Sequence, residues 1–364
     1  MRAVVFFVDS RAKQEITVFD TTLRDGEQTP GISFKFDQKI EIARQLSAIG
    51  VHVIEAGFPA SSDAEQETVR TIAGLGLESY ICGLARSRQE DVDACLDCDV
   101  DMVHVFIPTS DVQRIHTINK TREEVLEITA GIIAYVREHC DQCMFSAMDA
   151  TRTDWDYLVQ VCQVASDAGA TIINIPDTVG VISPSGMKVL IAKIASEVDC
   201  PLDVHCHNDF GLAVANTIAG VESGASQVQV TVNGLGERAG NADLAQTVMI
   251  LESIYGIKTG IVKELLVETS RLVSRHSGFA IPPVQPVVGE NAFSHESGIH
   301  SHGVLACTST FEPGIMTPEM VGHRRRLTLG KHVGRHAVRQ MLMDVHIDPS
   351  DEELDMIVEK VKFI

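Results

Sequence analysis

The feature that most constrains this chain is a rhythm. Eight short apolar or β-branched runs recur along it: Ile16–Phe19, Val51–Ala56, Tyr80–Leu84, Met102–Ile107, Met144–Ala147, Thr171–Ile175, Leu202–His205 and Gln227–Val232. Amphipathic stretches such as Asp37–Ile49 and Asp154–Ala168 lie between them. Parallel strands need a crossover connection, and a helix is its usual form, so the alternation predicts a parallel α/β sheet. Eight strand-helix units match a closed (β/α)8 TIM barrel better than an open doubly wound sheet. The expected catalytic barrel covers residues 14–277. After about Gly256 the alternation stops, and Gly278-Phe279-Ala280-Ile281-Pro282-Pro283 reads as a linker into a small, mostly helical C-terminal subdomain, residues 278–364. A chain of 364 residues is long enough to bury one large core and a satellite.

Barrels of this kind carry their active sites where the strands end, and the polar residues of this sequence fall there. Arg24 and Asp25 follow the first run, Glu55 ends the second, Arg86 follows the third, and Ser146 with Asp149 closes the fifth. Asp177 and Thr178 follow the sixth, His205 and His207 close the seventh, and Glu237, Arg238 and Asn241 follow the eighth. Two histidines one residue apart on a strand project from one face while Cys206 points the other way, which makes a half-site for a divalent metal that takes nitrogen ligands. A plainer reading of Arg24-Asp25-Gly26-Glu27-Gln28 is a polar loop with a surface ion pair. Four polar side chains packed around one glycine weigh against it.

A formal net charge of -20 argues against nucleic-acid and anionic-membrane partners, so an anionic substrate must be captured by local arginines or a metal. Nine cysteines are scattered without framework spacing, and nothing resembles a secretory signal or a membrane span, so a reducing cytoplasm is expected. Ala3 to Val8 is too short an apolar run for either. Cys95 and Cys98 form a lone CxxC without a second ligand pair and read as incidental. The C-terminal segment carries a dense polar stretch, Glu290 to Gly303, with three histidines and two glutamates. His323-Arg324-Arg325-Arg326 with Gly330-Lys331-His332 is the main basic concentration, open between an anion site and a solvated helix face.

At four ordered motifs the chain resembles the acyl-CoA 2-oxoacid synthases, the family of the 2-isopropylmalate, citramalate and homocitrate synthases. They are Phe19-Asp20-Thr21-Thr22-Leu23-Arg24-Asp25-Gly26-Glu27-Gln28, His205-Cys206-His207-Asn208-Asp209, Gly234-Leu235-Gly236-Glu237-Arg238-Ala239-Gly240-Asn241 and the histidine-rich loop ending at His300. The resemblance implies a metal-dependent Claisen-type condensation of acetyl-CoA with a 2-oxoacid, then hydrolysis of the thioester. It implies that Asp25, His205, His207 and Asn241 bind a divalent metal (Mg, Mn or Zn), that Arg24 stabilises the developing alkoxide, and that Thr178 bonds the substrate carboxylate. Glu55, Arg86 and Ser146 are expected beside the substrate. His300 matches a histidine that the family lends to a neighbouring subunit's barrel as acid or base, which implies a homodimer with shared active sites.

Two departures stand out. Met148 occupies the place of a glutamate that in the family helps to enolise acetyl-CoA, so rescue by Asp149 or Glu27, a slower reaction or an altered donor is expected. Phe311 stands near a position where the family has tyrosine. The segments Ile81 to Arg86 and Asn174 to Gly180 are more similar to those of isopropylmalate synthases than to their siblings, implying 2-oxoisovalerate as acceptor and a place in leucine biosynthesis. Pyruvate or 2-oxoglutarate is the alternative, since apolar discrimination amounts to only about 1–3 kcal/mol per methylene. A carbon-carbon lyase of the same barrel superfamily and a catalytically impaired metal-binding paralogue are the other readings. With the sequence ending at Ile364, feedback inhibition through the regulatory domain that leucine-inhibited synthases carry is not expected.

Overall fold

The computed structural model describes residues 15–295, 314–327 and 334–362. Within them, one compact unit takes in the residues up to Val262 together with Thr269–Phe279, and a second takes in Lys263–Glu268 and those from Ala280 onward.

The first unit is a closed parallel barrel of eight strands in chain order. They are β1 Thr17–Asp20, β2 Val53–Gly57, β3 Tyr80–Arg86, β4 Met102–Pro108, β5 Gln142–Met148, β6 Ile172–Asp177, β7 Leu202–Cys206 and β8 Gln227–Val230. The barrel closes where β1 pairs with β8, Thr17 against Gln227 through Asp20 against Val230. Helices follow the strands: α1 Phe36–Ala48, α2 Asp63–Ala73, α3 Gln89–Leu96, α4 Arg122–His139, α5 Trp155–Asp167, α6 Pro184–Ala195, α7 Ala213–Glu222 and α8 Leu244–Met249. Most of the longer helices start at a side chain that accepts from a backbone N–H of the first turn: Ser62, Thr121, Asp154 and Ser183 do this for α2, α4, α5 and α6. Each such cap is worth roughly 1 kcal/mol. No helix among the described residues is long and apolar enough to cross a membrane.

The period of two along the strands sorts the barrel interior into layers. Phe19, Val53, Cys82, Met102, Met144 and Ile172 pack together as a buried apolar layer. Two residues further along β2, β4, β5 and β6, the same face carries Glu55, His104, Ser146 and Asn174, all buried. The chain thus places a polar layer directly on an apolar floor, and that layer is the base of the site.

In the second unit, β9 Ser294–His295 pairs in parallel with β10 Arg326–Leu327. Helices Arg335–Asp344 and Asp351–Lys362 pack through Val338, Leu354, Val358 and Val361. From the basic stretch, His323 is buried and its Nε2 lies 3.0 Å from the Gly289 carbonyl, a structural contact rather than a solvated one.

Candidate active site at the barrel mouth

Asp25, His205 and His207 converge at the C-terminal ends of β1 and β7, all buried. Nε2 of His205 lies 3.1 Å from Nε2 of His207 and 3.2 Å from Asp25 Oδ2, and His207 Nε2 lies 3.7 Å from that same oxygen. β7 ends at Cys206, but His207 is held in line by a bridge to Asn241. The tautomer of His205 follows from its other nitrogen, Nδ1, 2.7 Å from Gln229 Oε1. Gln229 is oriented in turn because its amide donates to Asp203 Oδ2 at 2.8 Å, leaving its carbonyl for the imidazole N–H. That leaves Nε2 as the nitrogen that His205 turns toward the cluster.

Charge favours the same arrangement. Burial and the neighbouring His205 push His207 down to about 3, so it stands neutral with a lone pair to give. Burial acts to raise Asp25, but Arg24 and the two histidines outweigh it and hold the carboxyl well below the ordinary carboxylate range. Beside them the Oδ1 of Asn241 is buried without a hydrogen-bond partner, while its Nδ2 donates to the Leu235 carbonyl at 3.1 Å. Two imidazole nitrogens, a carboxylate and an orphaned amide oxygen form a donor set that suits a divalent cation.

Arg24 stands between this cluster and the polar layer. Its Nε is 2.6 Å from Glu55 Oε2 and its Nη1 3.1 Å from Asp25 Oδ2. Thr21 Oγ1 donates to Glu55 Oε2 at 2.5 Å. Burial acts to raise Glu55, yet Arg24 and His104 bring it down to about 2, so it is a carboxylate at neutral pH. Its other oxygen, Oε1, lies 2.7 Å from His104 Nδ1, and His104 Nε2 lies 2.6 Å from Ser146 Oγ. Asn174 Nδ2 donates to Ser146 Oγ at 2.7 Å.

Above these groups is a cavity of about 380 Å³. Leu84, Phe106, Met148, Pro176 and Val179 form its apolar wall, and Thr178 stands on its edge. Thr178 Oγ1 accepts from the Asp149 N–H at 2.9 Å, which frees the hydroxyl proton for another acceptor. Arg238 grips both oxygens of Asp209, at 2.7 and 2.9 Å, and donates to the Thr178 carbonyl at 2.8 Å, tying together the loops after β6, β7 and β8.

Comparison with known proteins agrees with this architecture. The HMGL-like family model matches residues 15–273, and a model described as homocitrate synthase post-HMGL domain-like matches residues 287–364. The chain belongs to the HMGL-like family. A probable 2-isopropylmalate synthase of Methanosarcina acetivorans is 60% identical over 99% of this chain and 70% of that protein. The homocitrate synthase AksA of Methanopyrus kandleri is 49% identical over 96% of the chain and 87% of that protein. Among solved structures, the HMG-CoA lyase of Bacillus subtilis superposes with a TM-score of 0.65 at 20% identity, covering 74% of this chain and 96% of that one. At that identity it speaks for the fold alone.

Within this HMGL-like barrel, Arg24, Asp25, Ser146, Thr178, His205 and His207 all line the cavity, while Glu55 lies beneath it as the anchor of Arg24. Asn241 meets His207 at the bridge. Three expected residues stand elsewhere. The guanidinium of Arg86 forms a fork with Asp91, at 2.6 and 2.9 Å, and lies over Phe58. Glu27 accepts from the Phe34 N–H at 2.8 Å and pairs with Lys39 at 2.5 Å, fixing the entry to α1. Asp149, in the left-handed region at φ 67°, is fully buried and held by Arg152 and Ser110. Neither Asp149 nor Glu27 lines the cavity, so the expected rescue of Met148 by one of them has no support in their placement. His300 and Phe311 lie outside the described residues. Cys95 and Cys98 are free, and their thiols donate to the Leu84 and Ala94 carbonyls.

Sequence reasoning passed over His104 and Gln229, met Asn174 only within the segment 174–180, and placed Arg238 on the rim without its role as a clamp. A signal existed for the first three, since each is a polar residue at an inward position of an otherwise apolar strand. The role of Arg238 as a clamp depends on a contact with Asp209, 29 residues away, which no local pattern announces.

Proposed function

We propose that this chain is a 2-isopropylmalate synthase, joining the methyl carbon of acetyl-CoA to the ketone of 2-oxoisovalerate and then hydrolysing the thioester to give 2-isopropylmalate and CoA. The observation that carries the reading is the meeting of Asp25, His205 and His207 with Arg24 under an apolar-walled cavity, in a chain so similar to 2-isopropylmalate synthases. A divalent cation held by Asp25, His205 and His207, with Asn241 Oδ1 as a further donor, would supply Lewis-acid polarisation of the ketone.

The chain's own groups do the rest. Arg24, fixed by Glu55, presents its remaining N–H groups to the oxygen on which negative charge develops, and its burial makes that charge more effective than it would be in water. The free hydroxyl proton of Thr178 suits the substrate carboxylate. Leu84, Phe106, Met148 and Pro176 offer a branched aliphatic group a dry wall. A second substrate carboxylate would find little: the two arginines lining the cavity, Arg24 and Arg238, are already paired with Glu55, Asp25 and Asp209. That pairing favours 2-oxoisovalerate over 2-oxoglutarate, while pyruvate differs only in apolar contact.

In this reading His300 serves the barrel of a neighbouring subunit, the protein works as a homodimer, and the compartment is a reducing cytoplasm, in keeping with its buried free thiols. Thiol release from acetyl-CoA, measured with 2-oxoisovalerate, pyruvate and 2-oxoglutarate in turn, tests the proposal. Release should be fastest with 2-oxoisovalerate and should stop on chelation of the metal. A clear preference for another acid would reassign the acceptor, and release unaffected by chelation would remove the cation from the reaction.

A further inference from the structure

The backbone ladder between β1 and β2 is short. It pairs Phe19 with Val53 and Asp20 with Ile54 and ends there. The groups that matter chemically stand just beyond it: Arg24 and Asp25 on the β1 side, and on the β2 side Glu55, which anchors Arg24. Past the last backbone pair, side chains have to hold the two strand ends together. Thr21 and Arg24 do so from within the mouth, each donating to Glu55. A second tie lies behind them.

Lys39, in the first turn of α1 and only 3% exposed, places its ammonium between two carboxylates, 2.5 Å from Glu27 Oε2 and 2.7 Å from Glu65 Oε2. Each carboxylate has its other oxygen on a backbone N–H: Glu27 Oε1 accepts from Phe34 at 2.8 Å and Glu65 Oε1 from Phe58 at 3.4 Å. Glu27 belongs to the turn Gly26–Gln28 and stands two residues after Asp25. Phe58 follows Gly57, the last residue of β2, and Glu65 packs there so closely that no room is left for a β-carbon at Gly57. One buried cation thus joins the loop that carries Arg24 and Asp25 to the end of the strand that carries Glu55.

Stability alone does not call for such a trio, since a well-packed apolar substitute of the same volume is often as stable or more so. We propose that Lys39 is a positioning residue for the cation cluster and for Arg24, setting the gap between the ends of β1 and β2 through Glu27 and Glu65. The inference rests on the reading of Asp25 as a cation ligand and of Arg24 as the partner of the developing alkoxide. Lys39 does not line the cavity, so its effect is carried by the two loops it ties. Without it, two carboxylates face each other with no cation between them, the strand ends part, and Asp25 and Glu55 lose their common frame. A displacement of about 1 Å at groups of this kind is worth about a hundredfold in rate.

The experiment compares wild type with Lys39→Met, with the triple variant Lys39→Met, Glu27→Gln, Glu65→Gln, and with Leu158→Ala, a buried position on α5 that weakens the core without lining the cavity. Each protein is tested for thermal melting without metal, for Mn²⁺ affinity against a fluorescent chelator, and for thiol release from acetyl-CoA with 2-oxoisovalerate at saturating Mn²⁺. Lys39→Met should bind Mn²⁺ roughly tenfold more weakly and lose roughly 10- to 100-fold in kcat. Its KM for the oxoacid should change less than about threefold, since Arg24 acts on charge that develops in the transition state. The triple variant removes the unpaired charges, so its melting should return toward wild type while its Mn²⁺ affinity and kcat stay low. Leu158→Ala should melt early and keep both. Recovery of affinity and kcat together with melting in the triple variant would overturn the inference, because the trio would then do no more than balance charge. So would a folded Lys39→Met protein that binds Mn²⁺ within about twofold of wild type, or losses in Leu158→Ala that match those of Lys39→Met. If Lys39→Met does not fold, the triple variant decides by the same readouts. If wild type binds Mn²⁺ but releases no thiol with any oxoacid, the synthase reading fails and the affinities alone decide the role of Lys39. If wild type binds no Mn²⁺, the cation reading fails and the inference falls with it.

Discussion

Replacing Gln229 by leucine should weaken metal binding without touching a ligand. The Gln229 side chain is buried, accepts from His205 Nδ1 at 2.7 Å and donates to Asp203 at 2.8 Å. Leucine removes both contacts and leaves two buried polar groups unpartnered. Each such loss costs roughly 1–3 kcal/mol, so the metal-free protein should melt earlier. The effect on the metal is separate: His205 loses the bond that fixes its ring and tautomer, and partners of this kind are worth about 10- to 100-fold in affinity, or roughly 1.4–2.7 kcal/mol. Gln229→Glu separates the two effects. It keeps an acceptor for His205, and burial, which raises Asp203 well above the carboxylate range, leaves Asp203 a proton to share with the new carboxyl. Competition with a fluorescent chelator for Zn²⁺ or Mn²⁺, beside melting curves without metal, should show Gln229→Leu weakened at least tenfold and Gln229→Glu within about threefold of wild type. A folded Gln229→Leu protein that binds within twofold of wild type would show that Gln229 does not set the tautomer of His205.

Other expectations follow from single contacts. Burial pushes Asp20 up to about 7, above its ordinary value of 3.8, so its contribution to stability is full below about pH 4 and is lost as pH rises through 7. Between pH 5 and pH 8.5 Asp20→Asn should gain roughly 3 kcal/mol of stability relative to wild type; a stability difference that does not change with pH would deny the shift. A methyl added at Gly236 would collide with Asn241 Nδ2 and stand 2.9 Å from its Cγ and 3.4 Å from Asp25 Oδ1, so Gly236→Ala should weaken the metal roughly tenfold in the chelator assay. Met148→Glu should raise kcat by about tenfold or more, since it puts a proton acceptor on the cavity wall; no gain would mean that position 148 lies out of reach of the donor.

The barrel was legible because its signal is periodic and repeated eight times. Each run matches a strand to within two residues at either end, and the slips at the start of β2 and the end of β8 fall where a turn begins or ends in apolar residues that look no different from strand. His205 and His207 could be paired from spacing alone because the strand period forces them to one side, and their nitrogens meet at 3.1 Å. The same period would have drawn His104 and Asn174 into the site had it been followed inward as well as at the rim. Position along the chain was a poorer guide for Arg86, Glu27 and Asp149. Each stands at or past a strand end as a site residue should, yet a closer partner of opposite charge, Asp91, Lys39 or Arg152, turns its side chain aside. Long polar side chains past a strand end have enough freedom for the nearest counter-charge to decide where they point, and that partner is visible only in the fold.

The most direct test of the synthase account is the product itself. Metal-loaded protein given 2-oxoisovalerate and acetyl-CoA labelled with ¹³C at the methyl carbon should yield one compound, 2-isopropylmalate, with the label in its methylene carbon and one CoA released per molecule, and Asp25→Asn should yield none. Thiol release with the label appearing only as acetate would contradict the account, because it would mean that the site hydrolyses the thioester without forming the carbon-carbon bond.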